Sequence, residues 1–137
     1  MHQDWWYFPT QRDSMIAATI FLTDADSRNG GFCVYPGSHR LGRLERSSGL
    51  EQSPALQPYP LSGATPVDAR RGDVLFFSYF TLHGSPPNRS EQVRKTVLVQ
   101  LHAGDDLVLD NPQVNHSNEY LVLAGWNRRM TRALAVK

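Results

Sequence analysis

Two residues at the start of the chain and three beyond its middle have side chains able to do chemistry. His2 and Asp4 flank Gln3. In an extended chain, residues two apart project from the same face, so an imidazole and a carboxylate at this spacing can converge on one ion. Alone the pattern is weak, because a chain with five histidines meets it by chance often enough. His83 follows the apolar segment Val74 to Tyr79 and precedes a Gly/Pro turn. A histidine at a strand-to-loop junction can be a ligand, although taken singly it is more often a surface or hydrogen-bonded side chain. Arg94 opens a further apolar segment; an arginine facing an apolar interior needs an anion, and its planar fork suits a carboxylate held by two hydrogen bonds. Thr96 lies two residues on, hence on the same face, and can offer its hydroxyl to the same carboxylate. Two histidines and one carboxylate leave open positions on a divalent ion, the facial arrangement of non-haem Fe(II) oxygenases. A buried arginine nearby suits the far carboxylate of a chelating 2-oxo acid.

The elements that must position these residues read mainly as strands. Ser14 to Thr23 is an apolar run rich in β-branched and aromatic residues, bounded tightly enough to be a buried strand. Asp24 to Gly31 is turn chemistry, with Asn29-Gly30 supplying a tight hairpin that returns Phe32 to Tyr35 as the next strand, ended by Pro36-Gly37. Arg40 to Pro66 has loop composition, rich in glycine, serine and proline without a sustained period. Val74 to Tyr79 and Arg94 to His102 are further strands, separated by the turn cluster Gly84 to Ser90. Asp105 to Glu119 is polar and loop-like, and Leu121 to Lys137 is mixed. Short strands with Gly/Pro turns and no strand–helix alternation point to an all-β fold with minor helix, an antiparallel sandwich or barrel.

The composition narrows the class of partner. A chain of 137 residues with a formal net charge of +1 is one domain, long enough to bury a core. No basic run exceeds two residues, so neither nucleic acid nor an anionic membrane is an expected partner, and a small-molecule substrate is. Cys33 is the single cysteine and cannot form an intrachain disulfide. No stretch approaches the length of a membrane span or the pattern of a signal peptide, and the expected location is cytoplasmic.

Taken in order, the motifs resemble the phytanoyl-CoA dioxygenase family of Fe(II)- and 2-oxoglutarate-dependent oxygenases. The resemblance rests on His2-Gln3-Asp4, the run Asn29 to His39, Arg71-Gly72-Asp73-Val74-Leu75-Phe76-Phe77, His83-Gly84-Ser85, Asn88-Arg89-Ser90 and Arg94, eleven residues after His83. It implies a double-stranded β-helix, the jelly-roll or cupin-like architecture, in which His2, Asp4 and His83 hold Fe(II) and Arg94, with Thr96, binds the distal carboxylate of 2-oxoglutarate. It implies a dioxygenase that uses O2 to hydroxylate a small organic substrate. Relatives place a third or more of the domain before the His-x-Asp motif. Residues 1–137 are therefore expected to be the C-terminal portion of such a domain, incomplete at its N-terminus, with a sheet edge open to pairing with another copy.

Two other readings stand beside this one. A non-catalytic remnant or partner subunit would keep the strands and lose the metal. A metal-binding barrel for isomerisation or storage would not need Arg94 at its spacing. Trp5 to Phe8 are equally a pocket wall or core packing. His39, His102 and His116 read as structural or exposed, Arg40, Arg43 and Arg46 as a solvated face, and Cys33 as a small buried hydrophobe. Asn88-Arg89-Ser90 matches a glycosylation acceptor only for a secreted chain.

Overall fold

The continuous apolar run at Ile16–Phe21 becomes the centre of a sheet because its backbone finds partners on both sides. A computed structural model of the chain describes residues 1–45, 53–109 and 121–125. The strands are β1 (Ile16–Phe21), β2 (Cys33–Val34), β3 (Thr65–Pro66), β4 (Val74–Ser78), β5 (His83–Gly84) and β6 (Thr96–Leu101). They form two antiparallel three-stranded sheets, ordered β4-β1-β6 and β3-β2-β5. Short 3-10 turns at Asp4–Trp6, Ser38–Leu41, Pro54–Leu56 and Leu61–Gly63 are the helical content of the described residues. The described parts of the loop-like stretch 40–66, residues 40–45 and 53–66, thus form tight turns and the short strand β3.

Residues paired across an antiparallel ladder share a face. Ala17 faces Phe77 and Gln100, Thr19 faces Leu75 and Leu98, and Phe21 faces Thr96. This face looks toward the second sheet. Phe21, Ala25 and Phe32 form a buried cluster, with Val34, Val67, Ala69, Leu75 and Phe77 packed against it. Burying a phenylalanine such as Phe21 stabilises the fold by roughly 1.5–3 kcal/mol. The opposite face of the same sheet carries Ile16, Val74, Phe76 and Val97, all exposed, beside the buried Ala18, so the strands are apolar on both faces while the second sheet packs on one of them.

The hairpin expected at Asn29-Gly30 does not form between β1 and β2. β1 pairs with β4 and β6, while β2 pairs with β3 and β5, so the turn carries the chain from one sheet to the other. Local side-chain bonds decide this. Asn29 accepts from the Asp26 amide at 2.9 Å and donates to the Asp24 carbonyl at 2.9 Å, folding the segment into a compact loop of side-chain-to-backbone bonds. Only Gly30 has a positive φ there, +77°, and its Cα lies so close to Pro86 that a Cβ would fall 2.7 Å from that carbonyl oxygen.

The start of the chain is tied down rather than frayed. The His2 amide donates to the His83 carbonyl at 3.0 Å and the His83 amide returns to His2 at 3.1 Å, an isolated bridge that adds residue 2 beside β5. The Asp4 amide donates to the Tyr79 carbonyl at 2.8 Å. Two of the chemistry-bearing residues are therefore placed by backbone bonds from residues about eighty positions away, which no local pattern encodes.

Candidate metal centre

Three residues singled out from type and spacing come together. One ligand atom each of His2, Asp4 and His83 lies within 4.8 Å of the others. Asp4 Oδ1 is the hub, 3.3 Å from His83 Nε2 and 3.6 Å from His2 Nε2. Asp4 and His83 are buried, while the His2 side chain is 47% exposed, so the cluster opens on the His2 side. The Asp4–Trp6 turn sets the carboxylate inward, and the bridge to β5 sets His2 against His83, with ring centroids 4.2 Å apart.

The orientation of His83 follows from its neighbours. Its Nδ1 lies 2.8 Å from the Thr81 carbonyl, which makes Nδ1 the donor there and turns Nε2 toward Asp4, the arrangement that orients metal-binding imidazoles. Phe32 stacks on the ring at 5.1 Å and Phe77 lies across it at 4.8 Å. Burial alone pushes the Asp4 carboxyl up. Hydrogen bonds from His2 and His83, the charge of His83 and a hydrogen bond from Gln100 outweigh it and hold the group well below the usual carboxylate range. An anion fixed among two imidazoles has the donor types and the charge that suit a cation.

Arg94 and Thr96 occupy the run into β6. Thr96 opens the strand opposite Phe21, half-buried. Pairing continues past the strand's end, since the Leu22 amide donates to the Lys95 carbonyl and the Lys95 amide to Thr23 Oγ1, each at 2.9 Å. Alternation then puts Arg94 on the face of Thr96, Leu98 and Gln100. Arg94 Nε is buried without a hydrogen-bond partner among the described residues. A buried guanidinium nitrogen left unpaired is a donor that an anion could satisfy.

Reading the residues alone missed two polar side chains. Gln100 Nε2 donates to Asp4 Oδ2 at 2.8 Å; a glutamine on the interior face of a mainly apolar strand was the available signal. Gln3, between the two ligand candidates, is buried and clamps the backbone, donating to the carbonyls of Gly42 at 2.9 Å and Phe80 at 2.6 Å and accepting from the Leu44 amide at 2.9 Å. Its side chain points away from the face of His2 and Asp4, as the alternation requires.

The remaining candidates sort differently. His39 and His102 are exposed, while His116 and Arg46 lie outside the described residues. Arg43 is not simply solvated: it donates to Asp13 and to the Thr10 carbonyl and lies over the Trp5 ring at 5.3 Å. Trp5, Trp6, Tyr7 and Phe8 are half-buried, with Tyr7 edge-on to His2 at 6.0 Å. Cys33 is buried in β2.

Two imidazole nitrogens and one carboxylate oxygen on one side of an ion suit a non-haem iron with open positions. Known proteins resemble the chain in sequence and in fold. The family model for phytanoyl-CoA dioxygenase matches residues 1–96. The chain is similar to a probable alpha-ketoglutarate-dependent hypophosphite dioxygenase of Stutzerimonas stutzeri, with 29% identity over 76% of this chain and 39% of that protein. It is 33% identical to a probable phytanoyl-CoA dioxygenase of Caenorhabditis elegans over 78% of this chain and 36% of that protein. Among solved structures, it resembles the non-heme alpha ketoglutarate dependent carbocyclase SnoK from nogalamycin biosynthesis, with 28% identity and a TM-score of 0.64 over 78% of this chain and 44% of that one. The epimerase SnoN, solved with Fe3+, alpha ketoglutarate and nogalamycin RO, shares the fold at a TM-score of 0.62 and 22% identity, over 78% of this chain and 43% of that one. The chain thus spans less than half the length of these relatives. With its His-x-Asp and distal histidine converging on one point of a double-stranded β-helix, the chain belongs to the phytanoyl-CoA dioxygenase family.

Proposed function

We propose that the chain carries the centre of an Fe(II)- and 2-oxoglutarate-dependent dioxygenase, in which His2, Asp4 and His83 hold the iron and Arg94, with Thr96, holds the distal carboxylate of 2-oxoglutarate. The observation that carries this reading is the convergence of one ligand atom from each of the three residues within 4.8 Å. When bound, iron and 2-oxoglutarate supply an O2-derived oxidant able to attack an unactivated C–H bond, with succinate and carbon dioxide as coproducts.

The chain's own residues prepare that chemistry in four ways. Asp4 stays ionised at neutral pH, so a cation meets a formed anion. Thr81 fixes the imidazole of His83, which spares the site the cost of reorienting a ligand on binding. Phe32 and Phe77 shield His83 from water on the core side. Arg94 brings a buried donor that an oxygen-rich anion would satisfy. Thr96 and Gln100 are four residues apart on one face of β6, about 13 Å along the strand, so the anion-binding end and the metal end lie along the same strand. The exposed side of His2, with Tyr7 beside it, is the open approach for a substrate.

The reaction is hydroxylation of a small organic molecule. The test is succinate release from 2-oxoglutarate in the presence of Fe(II) and O2, for the wild type and for Asp4→Ala. Turnover in the wild type and its loss in the variant support the reading; equal rates in both overturn it.

A further inference from the structure

Gln100 and Thr96 are the two polar side chains of β6, and the hydrogen bonding of Gln100 is lopsided. Nε2 donates to Asp4 Oδ2 at 2.8 Å, whereas Oε1 is buried with no partner among the described residues. Only the NH2 end of a carboxamide can serve a carboxylate, so Asp4 dictates which way the amide faces. A glutamine kept for packing or stability would satisfy both ends or give way to an apolar residue, since an unpartnered buried oxygen is a cost. The residue opposite on β1 is Ala17, a single methyl, which leaves the longer side chain room to extend toward the turn that carries Asp4.

The bond divides the labour of the two carboxylate oxygens. Oδ2 is taken by Gln100, while Oδ1 is the atom facing both histidines. On an octahedral ion, three protein donors and a two-pronged 2-oxo acid fill five positions. A second oxygen from Asp4 would fill the sixth, and none would remain open. We propose that Gln100 is a positioning residue that holds Asp4 to binding the metal through Oδ1 alone and so keeps one coordination position open. This rests on the reading of His2, Asp4 and His83 as the metal site.

The experiment is a titration of the full chain with Co(II), whose visible absorption reports coordination number, for the wild type, Asp4→Ala, Gln100→Met and Gln100→Asn. Methionine keeps the length without the donor, and asparagine keeps the amide but falls short of Asp4. In both Gln100 variants the expected result is a fall in Co(II) affinity of about 10- to 100-fold, the usual effect of losing a partner behind a metal ligand, together with a changed absorption spectrum. Thermal unfolding of metal-free Gln100→Met is expected to change little, because loss of the donor to Asp4 Oδ2 is offset by removal of the unpartnered oxygen. A lower unfolding temperature with unchanged Co(II) affinity and spectrum means a structural role and overturns the proposal, as does a wild-type spectrum and affinity in whichever of the two variants folds. Failure of the wild type to bind Co(II), or equal binding by Asp4→Ala, overturns the underlying metal site instead.

Discussion

Two buried aspartates, Asp4 and Asp106, sit in this fold with the same outward signs and different work. Asp4 is 4% exposed and Asp106 1%. Burial pushes each carboxyl up, and hydrogen bonds then hold each well below the usual range. The partners differ. Asp106 accepts from the Arg12 amide at 2.8 Å, the Ser14 amide at 3.1 Å and the Ser14 hydroxyl at 2.6 Å, and the Ser14 hydroxyl in turn accepts from the Ala103 amide at 3.0 Å. These bonds pin the segment before β1 to the segment after β6. Asp4 is instead surrounded by side chains, two imidazoles and a carboxamide, one of them open to solvent. Burial and a depressed pKa therefore do not separate a reactive site from a structural pin; the nature of the partners does. Amide donors are permanent, whereas imidazoles exchange a hydrogen bond for a metal.

Substitution should split the two residues cleanly. Asp4→Ala is expected to lower Fe(II) affinity by more than about 100-fold, beyond the range seen for losing a partner behind a ligand, and to cost less in unfolding than Asp106→Ala, since it strands side-chain donors but no backbone amide. Asp106→Ala is expected to cost about 3 kcal/mol or more, since it strands two backbone amides and a hydroxyl, and to leave metal affinity near that of the wild type. Calorimetric metal titration and denaturant unfolding on both variants decide it, and comparable effects on both readouts in both variants would erase the distinction.

Arg94→Lys sharpens the same contrast on the side of the anion. The charge stays and the fork goes, so 2-oxoglutarate affinity should fall by roughly 1.5–3 kcal/mol with Fe(II) affinity held. Isothermal calorimetry with each ligand measures both; unchanged 2-oxoglutarate binding would move the anchoring role elsewhere, with Arg89 the next candidate.

The acid limb of stability reports the pin. A carboxyl depressed in the fold stabilises fully above its unfolded value, about 3.9, and that stabilisation is lost as pH falls through the folded value. Unfolding free energy should thus drop below about pH 4, and less steeply in Asp106→Asn than in the wild type. An identical acid slope in the variant would deny Asp106 its part. The smallest effect belongs to Arg43, whose half-exposed pair with Asp13 is expected to contribute below about 1 kcal/mol when Arg43→Lys is measured by denaturant unfolding.

β1, β2, β4 and β6 were legible because each is a bounded apolar run, whereas the two-residue strands β3 and β5 fall in loop and turn composition; the trio of His2, Asp4 and His83 was legible because a His-x-Asp and a strand-end histidine are recognisable by type and order. Pairing was not legible. The Asn29-Gly30 turn has hairpin composition, yet Asn29 spends its side chain on Asp24 and Asp26, and β2 joins the other sheet. Gln100 was passed over as a polar residue in a mainly apolar strand, and Asp106 as part of a polar stretch. Both act on partners more than ninety residues away, through a register that local pattern does not carry. Arg43 was hidden in the same way, its partner Asp13 thirty residues distant.

The most direct measurement is an anaerobic titration of the chain with Fe(II) followed by 2-oxoglutarate, watched for the visible charge-transfer absorption of a 2-oxo acid chelated to Fe(II). The expected result is a band that saturates at one equivalent of each per chain in the wild type, is absent in His83→Ala, and requires more 2-oxoglutarate in Arg94→Lys. A band of wild-type strength in His83→Ala, or none in the wild type, would contradict the assignment of His2, Asp4 and His83 as the iron site.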